Sequence, residues 1–391
     1  MHKVLTLNQI ALEGLDRFPR DRYELGTELQ DPDAILVRSH KLSTAQATPR
    51  LRAVARAGAG VNNVPVAEFT QRGVVVFNTP GANANSVKEI VIAGMLLAAR
   101  DVAGGMSFVA GLDPQLDAGA LNTLVEAEKK RFKGGEIAGK TLGVVGLGAI
   151  GSRVAEVGLR LGMNVVGYDP AISVDAAWRI PAEVGKMENL PSLLARSDFI
   201  SLHVPALPQT RGLIGAEALR GVRPGAVLLN FARAEVVDPT AIAGALDEGL
   251  LARYVADFPV PELLGRGDVL FTPHLGASTA EAEQNCAVMA ADQLMDFLDR
   301  GNIHNSVNFP SVYLEPTGGH RLAVINENVP KMLGPILSAL ADHELNIIDM
   351  LNKSRDEIAY NLIDVEAPPT PALLAQLAAI EGVVSVRTFG D

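Results

Sequence analysis

His274 lies in FTPHLGAST (residues 271–279), a stretch rich in turn-forming residues. An imidazole titrates near neutral pH and can take up and return a proton. Two other ionisable residues stand in comparable places: Arg233 in LLNFARAEVVD and Glu262 in VADFPVPELL. Each of the three follows a short apolar run that reads as a strand. A carboxylate bonded to the second ring nitrogen would orient the histidine and favour its protonated form. A guanidinium offers a planar fork to a substrate carboxylate and can polarise a carbonyl. Together they suit removal of a hydroxyl proton from a 2-hydroxy acid while hydride leaves its C2. Singly, a loop Glu or Arg is usually solvated and a lone His usually packs or caps. A shared position at strand ends favours the chemical reading for His274 and Arg233, while Glu262 sits in a loop with two prolines.

A fourth feature gives this trio a neighbour. GVVGLGAIG holds Gly146-x-Gly148-x-x-Gly151, after an apolar run and before the helical pattern SRVAEVGLRLG. The next strand ends in GYDP with Asp169, about 20 residues further on, as a dinucleotide fingerprint requires. Gly146 permits a tight turn, Gly148 lets a pyrophosphate approach the backbone, and Gly151 lets helix and strand pack closely. Unpaired N–H groups of the helix start, from Ala149 and Ile150 onward, face the phosphates. The Asp169 carboxylate would accept from a ribose diol and repel a 2′-phosphate, which favours NAD over NADP. A second run, RAGAGVNN from Arg56 to Asn63, lacks the third glycine and the acid. Its amides are candidates for holding a substrate anion.

The elements that must position these residues alternate strand and helix. KVLTL, AILVRS, LRAVARAG and GVVVFNT predict one parallel sheet built from right-handed crossovers. A helix is expected at 86–100, with Ser86 and Glu89 spaced as a capping box. TLGVVGL, NVVGYD, FISLHV, AVLLNFA, LARYVADF and VLFTPH predict a second parallel sheet, and in such sheets ligands bind beyond the carboxyl ends of the strands. A helix running to about Arg300 would cross back onto the first series. The tail reads strand 321–329, helix 330–345, strand 346–353, strand 358–366, helix 371–381, strand 383–389, a ferredoxin-like order. The expected fold class is α/β: two Rossmann-like parallel-sheet domains flanking a cleft, plus a C-terminal ferredoxin-like α+β domain. The expected boundaries are 1–99 with 277–310, 100–276, and 319–391.

Composition bounds the function. The net charge of −11 argues against nucleic acid or anionic membrane as partners. The one cysteine, Cys286, cannot form an intrachain disulfide, which fits a reducing, cytoplasmic setting. No signal-like run opens the sequence, and no window of about 18 apolar residues predicts a membrane span. No metal ligand set is assigned.

These residues together resemble the D-isomer-specific 2-hydroxyacid dehydrogenases. The likeness rests on RAGAGVNNV, FNTPGANANSVKE, LGVVGLGAIG, HVPALPQTRGLI, LLNFARAEVVD, TPHLGAST and NSVNFP, and covers nearly the whole chain. It implies that Arg233, Glu262 and His274 are the catalytic trio and that NAD is the cofactor. It also implies that Asp257 bonds the nicotinamide amide, that His203, Pro205 and Ala232 lie beside the nicotinamide ribose, and that Thr79 is near the cofactor. Arg56, Ala57 and Gly58 match the family's substrate loop, and Arg38 and Ser39 a second substrate-facing loop. The implied reaction is oxidation of 3-phosphoglycerate, toward L-serine, with Arg38, Lys129, Lys130 or Arg131 as candidates to neutralise the substrate phosphate. The tail resembles an ACT domain, with Asn326, Asn328 and Asn346 as the serine-effector candidates, and implies a homo-oligomer, dimer or tetramer. Four departures stand out: Ala234 and Lys331 where relatives carry glycine, Asn326 where serine-binding relatives often carry histidine, and the acid loop DFPVPELL in place of the commoner pattern ending Glu-Pro, which makes the assignment of Glu262 depend on register. Two alternatives stay open: a dehydrogenase of another D-2-hydroxy acid, and a corepressor-like protein that senses NADH.

Overall fold

The computed structural model describes residues 1–390. The chain forms two compact units, one from residues up to Asn83 and from Ala280 onward, the other from Ala84 to Thr279.

The first unit opens with strands β1 (His2–Leu7), β2 (Tyr23–Gly26), β3 (Ala34–Val37), β4 (Ala53–Arg56) and β5 (Val75–Phe77). They form a parallel sheet in the order β2-β1-β3-β4-β5. Every residue of β3 is buried, as an unbroken apolar run in a two-sided sheet should be. On one face Leu36, Ala55 and Phe77 pack with Ala287, Ala290, Leu294 and Phe297 of helix Ala280–Arg300. On the other, Ile35, Val54 and Val76 pack with Leu51 and Phe69.

The second unit contains β6 (Thr141–Val145), β7 (Asn164–Tyr168), β8 (Gly185–Lys186), β9 (Phe199–Leu202), β10 (Ala226–Asn230), β11 (Leu251–Ala256) and β12 (Val269–Phe271). Their order is β12-β11-β10-β9-β6-β7-β8, all parallel. From β6 the chain steps outward one way to β7 and β8. It then returns to β9 and steps the other way, so the order reverses between β6 and β9.

Helix Ala84–Ala99 belongs to this unit, which corrects the expected domain limit at residue 99. Val87, Val91, Met95 and Ala98 form its buried stripe, packed with Leu142, Val144, Leu229 and Val255. Gly94 allows Phe231 and Val255 to come within 3.1 Å of where a Cβ would stand. The expected capping box is absent: the helix starts at Ala84, Ser86 Oγ donates to the Gly276 carbonyl at 2.7 Å, and Glu89 accepts from Asn85.

The tail forms β13 (His320–Glu327), β14 (Ile347–Arg355), β15 (Ile358–Val365) and β16 (Val383–Phe389), an antiparallel sheet in the order β14-β15-β13-β16. With helices Leu333–Asp342 and Pro371–Ala378 this is the ferredoxin-like order read from the sequence. Leu322, Val324, Ile363 and Val365 pack under the two helices. The opposite face is not free: Ala323, Ile325, Tyr360, Leu362 and Phe389 enter the same core as Phe77 and Phe297. The tail is thus a distinct ferredoxin-like sheet with a core of its own, and it falls within the first compact unit.

Candidate active site

The glycine loop follows β6, beside the point of reversal. Gly146 has φ +89°, and a Cβ there would meet the His203 carbonyl oxygen at 2.6 Å. A Cβ on Gly151 would lie 1.9 Å from the Gly146 carbonyl oxygen, so the start of helix Gly151–Arg160 rests directly on the loop. At Gly148 an added Cβ meets nothing within 4 Å. Two glycines therefore serve close internal packing, and the third leaves an open face at a helix N-terminus. That open face, with the helix start at Ala149–Gly151, fits a pyrophosphate. Asp169, at the end of β7, accepts from Leu147 N at 2.8 Å and Ala171 N at 3.0 Å. Its carboxylate shapes the loop and keeps lone pairs for a diol.

His203 follows β9. Its Nε2 lies 2.8 Å from Ser201 Oγ, while its Nδ1 is enclosed without a partner. Burial holds its pKa down at about 3, so the ring is neutral. An enclosed ring nitrogen awaiting a bond beside the glycine loop is a second feature that fits a bound cofactor. Ala232 is buried and Pro205 exposed.

The trio stands on the ends of the three neighbouring strands β10, β11 and β12. Arg233 follows β10, in a loop tied down by Asn230. That asparagine, fully buried, donates to the Arg233 carbonyl at 2.9 Å and accepts from Ala232 N at 3.2 Å. Arg233 Nη1 turns back to the Ala232 carbonyl at 2.7 Å. Ala234 starts a short 3-10 turn without left-handed φ, so the missing glycine causes no strain there. Glu262 is exposed on the 3-10 turn Pro261–Leu263 after β11, anchored by the buried Leu263. His274 is exposed just beyond β12, with its ring against Phe258 at a centroid distance of 4.9 Å. Among the described residues, no hydrogen bond or ion pair joins Glu262 to His274. The expected acid–imidazole pair is not made in this structure, in which the Phe258 ring lies against the histidine.

His274 carries a left-handed backbone, φ +57°. For a residue with a Cβ this costs on the order of 1 kcal/mol or more and needs support. The support comes from Asp257, one residue past β11 and only 1% exposed. Its Oδ1 accepts from Thr272 Oγ1 at 2.6 Å and Leu275 N at 2.7 Å, and its Oδ2 from Gly276 N at 2.7 Å. The role expected for Asp257, bonding a nicotinamide amide, therefore meets a carboxylate already turned inward on both oxygens.

In the first unit the candidate substrate loop is a set of carbonyl–guanidinium contacts. Arg56 Nε donates to the Arg38 carbonyl at 3.0 Å and Arg56 Nη1 to the Gly60 carbonyl at 2.7 Å. A Cβ on Gly58 would lie 2.7 Å from Arg56 Nη1, so the guanidinium lies over the glycine next to Ala57. Ser39 N donates to Asn8 Oδ1 at 3.0 Å. Thr79, fully buried, donates its N–H to the Gly58 carbonyl at 3.1 Å. Arg38 pairs with Glu283, so it does not stand as a free cation for a phosphate. Lys129 and Arg131 likewise pair with Glu126 and Glu128 on the surface.

Residues 108–276 match the D-isomer specific 2-hydroxyacid dehydrogenase, NAD binding domain. The chain is 33% identical over 402 aligned positions to a D-3-phosphoglycerate dehydrogenase of Haemophilus influenzae, covering 98% of this chain and 93% of that one. This chain belongs to the D-isomer-specific 2-hydroxyacid dehydrogenase family. A Methanocaldococcus jannaschii enzyme of the same name is 34% identical over 84% of the chain, which spans 61% of that longer relative. The NAD+-bound 3-phosphoglycerate dehydrogenase of Entamoeba histolytica has a similar structure, with TM-score 0.62 and 26% identity over 78% of this chain and 98% of that one.

The tail separates the three effector candidates. Asn326 is 2% exposed and bonded within the sheet, to Asn361 Nδ2 at 2.7 Å and the Glu327 carbonyl at 2.6 Å. Asn328 donates to the Asp356 carbonyl at 3.0 Å. Asn346 precedes β14, whose first residue pairs with Val365, itself opposite His320 at the other end of β13. Six residues of strand, about 20 Å, lie between the levels of Asn346 and Asn326. One chain therefore does not bring Asn346 and Asn326 together. Lys331 keeps φ +75°, the backbone for which glycine is suited. Two residues that hold the site's loops, Asn230 and Thr272, are not among the candidates expected from the sequence. The first was legible as a polar residue ending the apolar run AVLLN; the second had no such signal. No single helix among the described residues is long and apolar enough to cross a membrane.

Proposed function

We propose that the protein oxidises 3-phosphoglycerate to 3-phosphohydroxypyruvate with NAD, the entry to serine synthesis. The observation that carries the reading is the run of Arg233, Glu262 and His274 along three adjacent strand ends of the sheet that bears the glycine loop. The names of the relatives supply the substrate. NAD, when bound, accepts the hydride from C2 of the substrate. The residues suited to hold it are the Gly146–Gly151 loop, Asp169 and His203. Arg233 binds the substrate carboxylate and polarises the C2 oxygen. A ring nitrogen of His274 takes the hydroxyl proton. The Glu262 carboxylate stabilises the resulting imidazolium once substrate has drawn the two together, since such contacts often tighten only in the reactive complex. The products are the keto acid, the reduced cofactor and a proton on His274, later lost to water.

NADH formation from 3-phosphoglycerate tests the reading, with glycerate and lactate as competitors and with L-serine added in a parallel series. We expect turnover of the phosphorylated acid, and a loss of about 10²–10⁴ in kcat for His274→Ala. Turnover of lactate or glycerate but not 3-phosphoglycerate refutes the substrate. Unchanged turnover in His274→Ala refutes the site.

A further inference from the structure

We propose that Asp257 and Thr272 are positioning residues, a clamp that holds His274 in its left-handed conformation and so presents the ring. The inference rests on the reading of His274 as proton acceptor. Five contacts close the clamp. His274 N donates to two carbonyl oxygens, Asp257 O at 3.1 Å and Thr272 O at 3.0 Å. The Asp257 carboxylate takes Thr272 Oγ1, Leu275 N and Gly276 N on the two sides of the histidine. The backbone on either side of His274 is thereby fixed to one buried group, while the imidazole itself stays exposed.

The surroundings fit a dedicated clamp. Asp257 has no cationic partner among the described residues, so three donors are what compensates its buried charge. A Cβ on Gly276 would stand 3.0 Å from Asp257 Oδ2, which leaves little room for any other residue there. The Gly276 carbonyl is held in turn by Ser86 Oγ at 2.7 Å, from helix Ala84–Ala99. Asp257 N bonds to the Asn230 carbonyl at 3.2 Å, and Asn230 also fixes the loop of Arg233. One chain of bonds thus sets the placement of both Arg233 and His274.

Thr272→Val removes one arm of the clamp and keeps the side-chain shape, and Thr272→Ser restores the hydroxyl. In Thr272→Val we expect kcat to fall about tenfold, NADH affinity to stay within about twofold, and amide exchange at Leu275 and Gly276 in the cofactor-free protein to speed up about tenfold. Thr272→Ser should return all three toward the parent values. Asp257→Asn should lower kcat and speed the exchange at the two amides further than Thr272→Val does; if it fails to fold, the Thr272 series decides. Unchanged kcat in Thr272→Val, or weaker NADH binding at unchanged kcat, would overturn the clamp, as would unaltered exchange at the two amides. A parent protein inactive on every 2-hydroxy acid would refute the functional reading instead. The exchange rates would then still decide whether the clamp exists.

Discussion

The glycine loop separates two jobs that a pair of alanine substitutions can tell apart. At Gly151 a new Cβ would stand 1.9 Å from the Gly146 carbonyl oxygen and 3.0 Å from its carbon. Reaching the ~3.3 Å of the closest ordinary C···O contacts requires a shift of about 1.4 Å between loop and helix start. Both partners are backbone, so neither can rotate away. The cost belongs at the upper end of the overpacking range, about 3 kcal/mol. At Gly148 the same methyl meets nothing within 4 Å, and φ there is not left-handed. Stability should hold or rise by about 0.4–1 kcal/mol through the lower entropy of the unfolded chain. The methyl does stand on the face a pyrophosphate would use. Lengthening even one amide–phosphate bond costs about 1.5–3 kcal/mol, at least tenfold in affinity. Urea unfolding and NADH fluorescence titration read the two quantities independently. Gly151→Ala should lose stability. Gly148→Ala should keep stability and bind NADH at least tenfold more weakly. Parent-like NADH affinity in a stable Gly148→Ala protein would refute the phosphate cradle, and parent-like stability in Gly151→Ala would refute the packing argument.

Two further outcomes follow from other parts of the chain. Burial opposes the Asp364 charge, but hydrogen bonds from Arg321 and Thr317 and the Arg321 charge outweigh it and hold the carboxyl below its usual pKa. Its stabilising contribution is therefore full above the unfolded value of about 3.9 and lost as pH falls through the lower folded value. Asp364→Asn should destabilise the protein at pH 7 by about 3 kcal/mol, because it leaves Arg321 buried without its partner. In urea unfolding across pH, that deficit should shrink below pH 4; a constant deficit would contradict the linkage. Lys331→Gly should raise the urea midpoint, by about 0.5–1 kcal/mol in stability, since it relieves a left-handed residue; a lower midpoint would show that the lysine makes a compensating contact.

What the sequence revealed was local, and what it hid was long-range. Apolar runs marked most strands, and the glycine spacing with Asp169 marked the loop, because each signal lies within one or two elements. Ser86 and Glu89 had capping-box spacing, yet Ser86 bonds to Gly276, 190 residues away, and no spacing rule reaches that far. Asp257 shows the same limit: its side chain is spent on a turn that begins 15 residues later. Helix Ala84–Ala99 displayed a buried stripe without saying which core would bury it. The tail carried a stronger clue than its element order. In IAYNLIDV, apolar residues fall on both faces of β15, and every position is buried. Strict alternation would have meant one wet face; its absence meant a sheet covered twice. The second cover is the core of the first unit, entered by Ile325, Tyr360, Leu362 and Phe389. At ~1.5–3 kcal/mol for each side chain, those four amount to about 6–12 kcal/mol. That is the order of a whole domain's stability, so the tail is held as structure and not as a loosely tethered appendage.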